Sequence, residues 1–319
     1  MELGNVDKEV GERALCWVAE AVHPGAEVIK ADRLLGGIST PIYRLKLRAE
    51  GNERDVVLRL FKDEDWLKQE PDLVSREAVS LRRAALNGEV PTPQVIAVDE
   101  TGATCGVPAT LMSRLKGSVV LEPADRGGWL DGLARALVAV HRVEPGDLPW
   151  GYRPYSNIAD LDAPSWSSIP EQWKRAVAII EATRPAFVPQ FIHRDYHPAN
   201  VLWSTDGEVS GIVDWVNGCI GPAGVDVGHC RVNLAQLHGV DAADEFLERY
   251  RELAGDRFDY DPYWDFVTLF DFGDEEPDVY QGWTALGMTG LTKELIIERL
   301  DTYLLSLLER ISNAGKNGH

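Results

Sequence analysis

In the first third of the chain, apolar and polar residues alternate in short runs. In Ile42-Tyr-Arg-Leu-Lys-Leu47, Tyr43, Leu45 and Leu47 share one parity and Arg44 and Lys46 the other, the period-two pattern of a strand. Val56-Val-Leu-Arg-Leu-Phe61, Pro91–Val98 and Pro108–Leu115 read as further strands, with a turn at Asp99-Glu-Thr-Gly102. Between them, Val74, Ala78, Leu81 and Ala85 recur at helical spacing within 73–86, and Gly88 supplies a stop. These elements predict a small mixed sheet with one helix. Downstream the period changes: Trp129, Leu133, Leu137 and Val140 form a helical stripe, and 240–253 and 291–311 read as amphipathic helices. A sheet-rich front and a helix-rich back predict an α+β chain in two parts.

One stretch of the back half departs from the helical pattern. Phe191-Ile192 and Val201-Leu-Trp203 read as short strands around a tight loop stiffened by Pro198, and Gly211-Ile-Val-Asp214 as a strand carrying Asp214 at its end. Asp195 lies in that loop, Asn200 five residues on, and Asp214 nineteen beyond Asp195. Phosphoryl transfer uses this trio: an Asp that orients and deprotonates the acceptor hydroxyl, then an Asn and a second Asp on the metal. Oxygen donors with few carboxylates suit Mg²⁺. The bland alternative is a loop whose polar residues cap turns.

The residues His193-Arg-Asp-Tyr-His-Pro-Ala-Asn200, with Val213-Asp-Trp215, resemble the aminoglycoside phosphotransferase and choline-kinase-like family, small-molecule kinases of protein-kinase-like fold. His197, two residues after Asp195, and Trp215, directly after Asp214, carry the resemblance. It implies a bilobal fold, with a β-rich N-lobe of five strands plus a helix over 1–115 and a larger helical C-lobe over 116–319. It further implies ATP or GTP as phosphate donor, Asp195 as catalytic base, and Asn200 and Asp214 as Mg²⁺ ligands. The turn before the first strand, with Gly36, Gly37, Ser39 and Thr40, is expected to lie over phosphates. Arg59 is expected where relatives place a phosphate-binding Lys, paired to Glu77; Lys62, the alternative, falls on the opposite strand face. Met112, Ser113 and Leu115 fall where the resemblance puts an adenine-binding hinge. His197 is expected to brace the loop, and Asp226 to anchor it through backbone N–H groups unless it merely caps a helix starting near His229.

Composition narrows the setting. The chain has 319 residues, 45% hydrophobic, enough for two packed lobes. It lacks a membrane-length apolar run or a signal-like N-terminus, which predicts a cytoplasmic protein. The four scattered cysteines predict free thiols. A net charge of −19 argues against nucleic-acid or anionic-membrane partners and permits a cationic acceptor. Acidic residues between Asp256 and Asp278 would suit amino sugars, or form a solvated face beside an aromatic stripe. Within that run Asp271-Phe272-Gly273 spells the protein-kinase metal motif, a role Asp214 already fills. The acceptor stays open: an aminoglycoside or related antibiotic, or choline, a sugar or a hydroxy amino acid for a metabolic kinase. A nucleotide-binding regulator without catalysis is the reading from another class.

Overall fold

The computed structural model describes residues 10–34, 40–182, 184–272 and 276–317. In chain order the first elements are α1 (Glu12–Val22), β1 (Glu27–Arg33), β2 (Ile42–Ala49), β3 (Asn52–Leu60), α2 (Glu64–Gln69), α3 (Leu73–Ala84), β4 (Val95–Asp99), β5 (Ala109–Ser113) and β6 (Ser118–Val119). There follow α4 (Arg126–His141), α5 (Pro170–Ala182), β7 (Gln190–Ile192), β8 (Val201–Trp203), β9 (Val209–Ile212), β10 (Cys219–Gly221), α6 (Ala223–His238), α7 (Val240–Ala254), α8 (Tyr263–Phe270), α9 (Gln281–Ala285) and α10 (Lys293–Asn317). The chain divides into two compact units, residues 1–118 with 210–217, and residues 119–209 with 218–319. The grouping differs from a simple division at 115 over residues 116–118 and 210–217. The Ile212 N–H donates to Pro91 O at 2.8 Å, and a Cβ on Gly211 would collide with Leu115, so this segment is fastened to the first unit.

In the first unit, Tyr43, Leu45 and Leu47 of β2 and Val56, Leu58 and Leu60 of β3 are all buried in one core, as their alternation requires. The five strands run in the order β1-β2-β3-β5-β4. Every neighbouring pair is antiparallel, where a mixed sheet was expected. The reason is topological. The crossover through α3 makes β4 parallel to β3, but β5 is inserted between them in the opposite sense, so no two parallel strands touch.

The second unit is built round α6, almost every residue of which is buried. This helix starts at Ala223, six residues before the expected start near His229, despite two glycines in its first turns. Those glycines are contact points. A Cβ on Gly224 would strike Trp264, and one on Gly228 would lie 2.7 Å from Thr268 Oγ1, so α8 packs directly on the α6 backbone. Trp129, Leu133 and Leu137 of α4, Phe246 and Leu247 of α7, and Ile296, Leu300 and Leu304 of α10 complete the core. Asp301 of α10 ties in α5, accepting from Ser167 Oγ at 2.6 Å, Ser168 Oγ at 2.9 Å and Trp173 Nε1 at 2.9 Å.

Much of the acidic run after Asp256 is spent on structure. Asp265 is buried, ion-paired to Arg231 at 2.6 Å and accepting from Tyr260 and Tyr303, while Asp261 accepts the Tyr263 N–H and Glu276 pairs with Lys293. No described helix is long and apolar enough to cross a membrane.

Two outcomes test this packing. All four cysteines are free thiols, Cys16 exposed and Cys105, Cys219 and Cys230 buried, and burial pushes the Cys105 thiol up to about 11. A thiol reagent at pH 8 should therefore modify one cysteine quickly in the native protein and all four after denaturation. Replacing Asp301 by Ala orphans two hydroxyls and an indole N–H; it should lower the unfolding free energy by about 3 kcal/mol in a denaturant titration.

Candidate active site

The first unit assembles a buried charge cluster from three separate elements. Arg59 falls on the face of β3 opposite Leu58 and Leu60, and it is only 4% exposed. Burial of a guanidinium among apolar neighbours demands partners. Carboxylates supply them: Arg59 Nη1 lies 3.0 Å from Glu77 Oε1, on α3, and 2.9 Å from Asp214 Oδ1. Glu77 is as deeply buried, and its carboxyl is raised by that burial, with Arg59 pulling the other way. Lys62 lies two residues beyond the end of β3 and is exposed. Asp214 follows β9 with φ 67, a left-handed backbone unusual for a residue with a side chain, and Trp215 Nε1 donates to Ile212 O at 3.0 Å across the bend. Such strain concentrates where a side chain must be aimed.

Gly36, Gly37 and Ser39 lie outside the described residues, and Thr40, just after them, is buried. Met112 and Ser113 end β5, where Ser113 exchanges two bonds with Gln94: its N–H donates to Gln94 O, and its Oγ accepts the Gln94 N–H at 2.8 Å. Leu115 follows in the connection to β6 and packs over Gly211.

The second unit assembles the other cluster around Asp195. The loop that carries it is held from below by Asp226, which is fully buried in the first turn of α6. The carboxylate accepts the His193 N–H at 2.8 Å and the Arg194 N–H at 2.6 Å, and faces His141 Nε2 at 3.0 Å. It caps no helix; its work is to fix the backbone entering Asp195, where Arg194 adopts φ 68. Below Asp226, His141 Nδ1 reaches the Tyr250 hydroxyl at 2.6 Å, extending the brace to α7.

On the loop itself, the Asn200 amide donates to Asp195 O at 2.9 Å and Asp195 Oδ2 at 3.3 Å, and lies 3.1 Å from His197 Nε2. The amide nitrogen is thereby turned inward, which leaves the Asn200 carbonyl oxygen as the group offered outward. A hard oxygen donor beside a carboxylate fits Mg²⁺, and Asp214 in the first unit is a donor of the same kind. His197 acts as the brace its position implied. His229 was not read from the sequence as part of the site. Its Nε2 lies 3.1 Å from Asp195 Oδ1, and Phe272 stacks on its ring at a centroid distance of 6.0 Å. The spacing becomes a signal only once α6 is known to start at Ala223: His229 is then one helical turn after Asp226, on the same face. Burial alone would raise the Asp195 carboxyl, but His197, His229 and His193 outweigh it and hold it well below the usual carboxylate range. His229 is moved up in turn: burial would lower it, and the bond to Asp195 prevails. Asp195, His197 and His229 also bring one ligand atom each within 4.8 Å of one another, a nitrogen-rich set suited to softer cations than Mg²⁺.

The model of the phosphotransferase enzyme family matches residues 30–266. No curated protein matches. Among solved structures, the aminoglycoside-3'-phosphotransferase of type VIII aligns with TM-score 0.55 and 20% identity over 81% of this chain and 98% of that one. Macrolide 2'-phosphotransferase type I aligns with TM-score 0.56 and 16% identity, covering 89% and 94%. A thermostable mutant of aminoglycoside phosphotransferase APH(4)-Ia, in ternary complex with ADP and hygromycin B, aligns with TM-score 0.56 and 16% identity, covering 88% and 95%. At these identities the structures speak for a shared fold, and the family match extends over most of the sequence. The chain belongs to the phosphotransferase enzyme family and is a small-molecule phosphotransferase of kinase-like fold.

Proposed function

We propose that the protein transfers the γ-phosphate of ATP or GTP to a hydroxyl of a small molecule, with Asp195 receiving the hydroxyl proton. The observation that carries this reading is the Asp195 carboxylate, kept ionised by His229 and His197 on a loop whose backbone Asp226 fixes. A carboxylate held so far below its ordinary range is a weak base. Its part is then to orient the hydroxyl by accepting its hydrogen bond and to take the proton late, as a loose phosphoryl-transfer transition state allows. Asn200 and Asp214 are the proposed ligands of Mg²⁺, which when bound neutralises charge on the phosphate oxygens. Arg59 is the proposed phosphate contact, because a guanidinium can fork between the Glu77 carboxylate and phosphate oxygens. Gly36, Gly37, Ser39 and Thr40 are proposed to cover the phosphates, and the backbone about Met112, Ser113 and Leu115 to receive the base.

Support for the nucleotide comes from the ADP in the APH(4)-Ia complex, and for a hydroxylated acceptor from its hygromycin B. Aminoglycosides and macrolides are therefore the antibiotics to test first, with choline, sugars and hydroxy amino acids as the metabolic alternatives. A regulator that binds nucleotide without turnover is disfavoured by the intact Asp195, Asn200 and Asp214.

Mg²⁺-dependent ADP release across that acceptor panel tests the reading. One acceptor class should stimulate release, and Asp195→Asn should reduce the stimulated rate about 100-fold or more while leaving nucleotide affinity within a few-fold; equal rates in the two proteins would refute it. Arg59→Lys keeps a charge but loses the fork, so the KM for ATP should rise about tenfold, corresponding to ~1.4 kcal/mol.

A further inference from the structure

Two arginines of the second unit lie against aromatic rings: Arg184 is exposed, and Arg194, half-buried, also donates from Nη2 to Arg153 O. The Arg184 guanidinium lies 5.3 Å from the centroid of the Phe187 ring, 5.5 Å from that of Trp264 and 6.0 Å from that of Tyr152. Arg194 sits 3.9 Å over the Tyr155 ring and 5.7 Å from that of Tyr152, so both cations share one tyrosine. Neither is ion-paired to a carboxylate among the described residues. In a chain with 51 acidic residues against 32 basic ones, partners are abundant. Arg44, Arg76, Arg126 and Arg231 all have them.

The same place leaves polar atoms unsatisfied. Tyr152 Oη and Arg194 Nε are buried without a hydrogen-bond partner. Burying a donor unpaired costs about 1–3 kcal/mol, which a bound group would offset. The platform is fixed by the backbone: the Tyr152 N–H donates to Ile220 O at 2.8 Å, a Cβ on Gly221 would collide with Tyr152 and Ile192, and Trp264 rests on Gly224. Beside it, residues 154–158 line a concavity of about 320 Å³.

The platform adjoins the reacting carboxylate. Arg194 directly precedes Asp195, and the Tyr155 hydroxyl is pushed up by burial, then by the charges of Asp195 and Asp271 against the opposing pull of Arg194. Among the described residues Asp271 acts on both tyrosines and Asp195 on Tyr155, with Arg184 and Arg194 opposing them at Tyr152. Two of the acidic residues that would have welcomed an amine are engaged elsewhere, Asp265 by Arg231 and Glu276 by Lys293.

We propose that this platform is the acceptor subsite for an anionic group. The hydroxyl compound phosphorylated at Asp195 carries a carboxylate, sulfate or phosphate that Arg184 and Arg194 receive, and a flat face that rests on Tyr155. The assignment rests on the phosphotransferase reading of Asp195 and reverses the charge that the overall composition permits for the acceptor. Forked, charge-assisted bonds from guanidinium to an oxyanion supply the recognition.

The test uses the full chain with Mg²⁺ and ATP and follows ADP release with acceptors matched in shape and differing in charge. D-glucuronate, D-glucuronamide and D-glucosamine make one set; mandelate, mandelamide and 2-amino-1-phenylethanol make the other. The carboxylates should show at least tenfold higher kcat/KM than their amide or amine counterparts. In Arg184→Gln that preference should disappear through KM, with kcat within twofold, while Arg184→Lys should retain most of it. In parallel, calorimetry with sodium sulfate at constant ionic strength should find one saturable site in the wild type and in Asp195→Asn, lost in Arg184→Gln and Arg194→Gln, with thermal unfolding confirming that each variant is folded. Preference for the amines, or sulfate binding unchanged in Arg184→Gln, overturns the proposal and leaves the phosphotransferase reading standing. Absence of Asp195-dependent ADP release with every acceptor overturns that reading, and the acceptor role of the platform with it.

Discussion

Everything in the second unit that bears on chemistry depends on one buried carboxylate. Asp226 gives its two oxygens to the consecutive N–H groups of His193 and Arg194, and so holds the loop that presents Asp195. A carboxylate sealed from water costs several kcal/mol unless each lone pair is satisfied, and here backbone donors and His141 satisfy it. That cost makes the arrangement unforgiving: the loop cannot shift without stranding the charge. The left-handed Arg194 is the local strain that the bonds sustain.

The same helix that supplies Asp226 supplies His229 one turn later, so loop anchoring and carboxylate tuning come from a single rigid element. Its burial is what allows this precision. Because Gly224 and Gly228 let α8 approach the α6 backbone, the helix is clamped on its far side by Trp264 and Thr268. Arg231, three residues after Gly228, is fully buried and locked to Asp244 and Asp265. The acidic run that might have recognised a cation is in part the counter-charge of this clamp.

In the first unit the organising charge is Arg59, which joins β3, α3 and the segment after β9 by holding Glu77 and Asp214 together. A buried ion cluster of this kind contributes little net stability compared with an apolar core, but losing one member leaves uncompensated charge worth about 3–5 kcal/mol. Its value lies in geometry, since Asp214 reaches a defined position only through a residue 155 positions earlier.

Much of this was legible in the sequence because its signals are local. Alternation placed the strands and put Arg59 on the face opposite Leu58, helical spacing placed Glu77 beside an apolar stripe, and the offsets among Asp195, Asn200 and Asp214 named the chemistry. What escaped was set by contacts between distant segments. The true start of α6 escaped because Gly224 and Gly228 join a helix there only where Trp264 and Thr268 pack on its backbone. His229 read as part of a buried helix because nothing near it in sequence places Asp195 within 3.1 Å. The charge character beside the site also could not be summed from composition: a net charge of −19 is an average, and the fold spends its carboxylates on Arg231 and Lys293 while leaving Arg184 and Arg194 to aromatic rings. The sequence by itself determined the reaction class and the family, because the motif that carries them is written at short, fixed spacings. Only the tertiary structure decided which charges pair with carboxylates and which lie against aromatic rings, because pairing across a fold depends on where segments far apart in the chain come to lie.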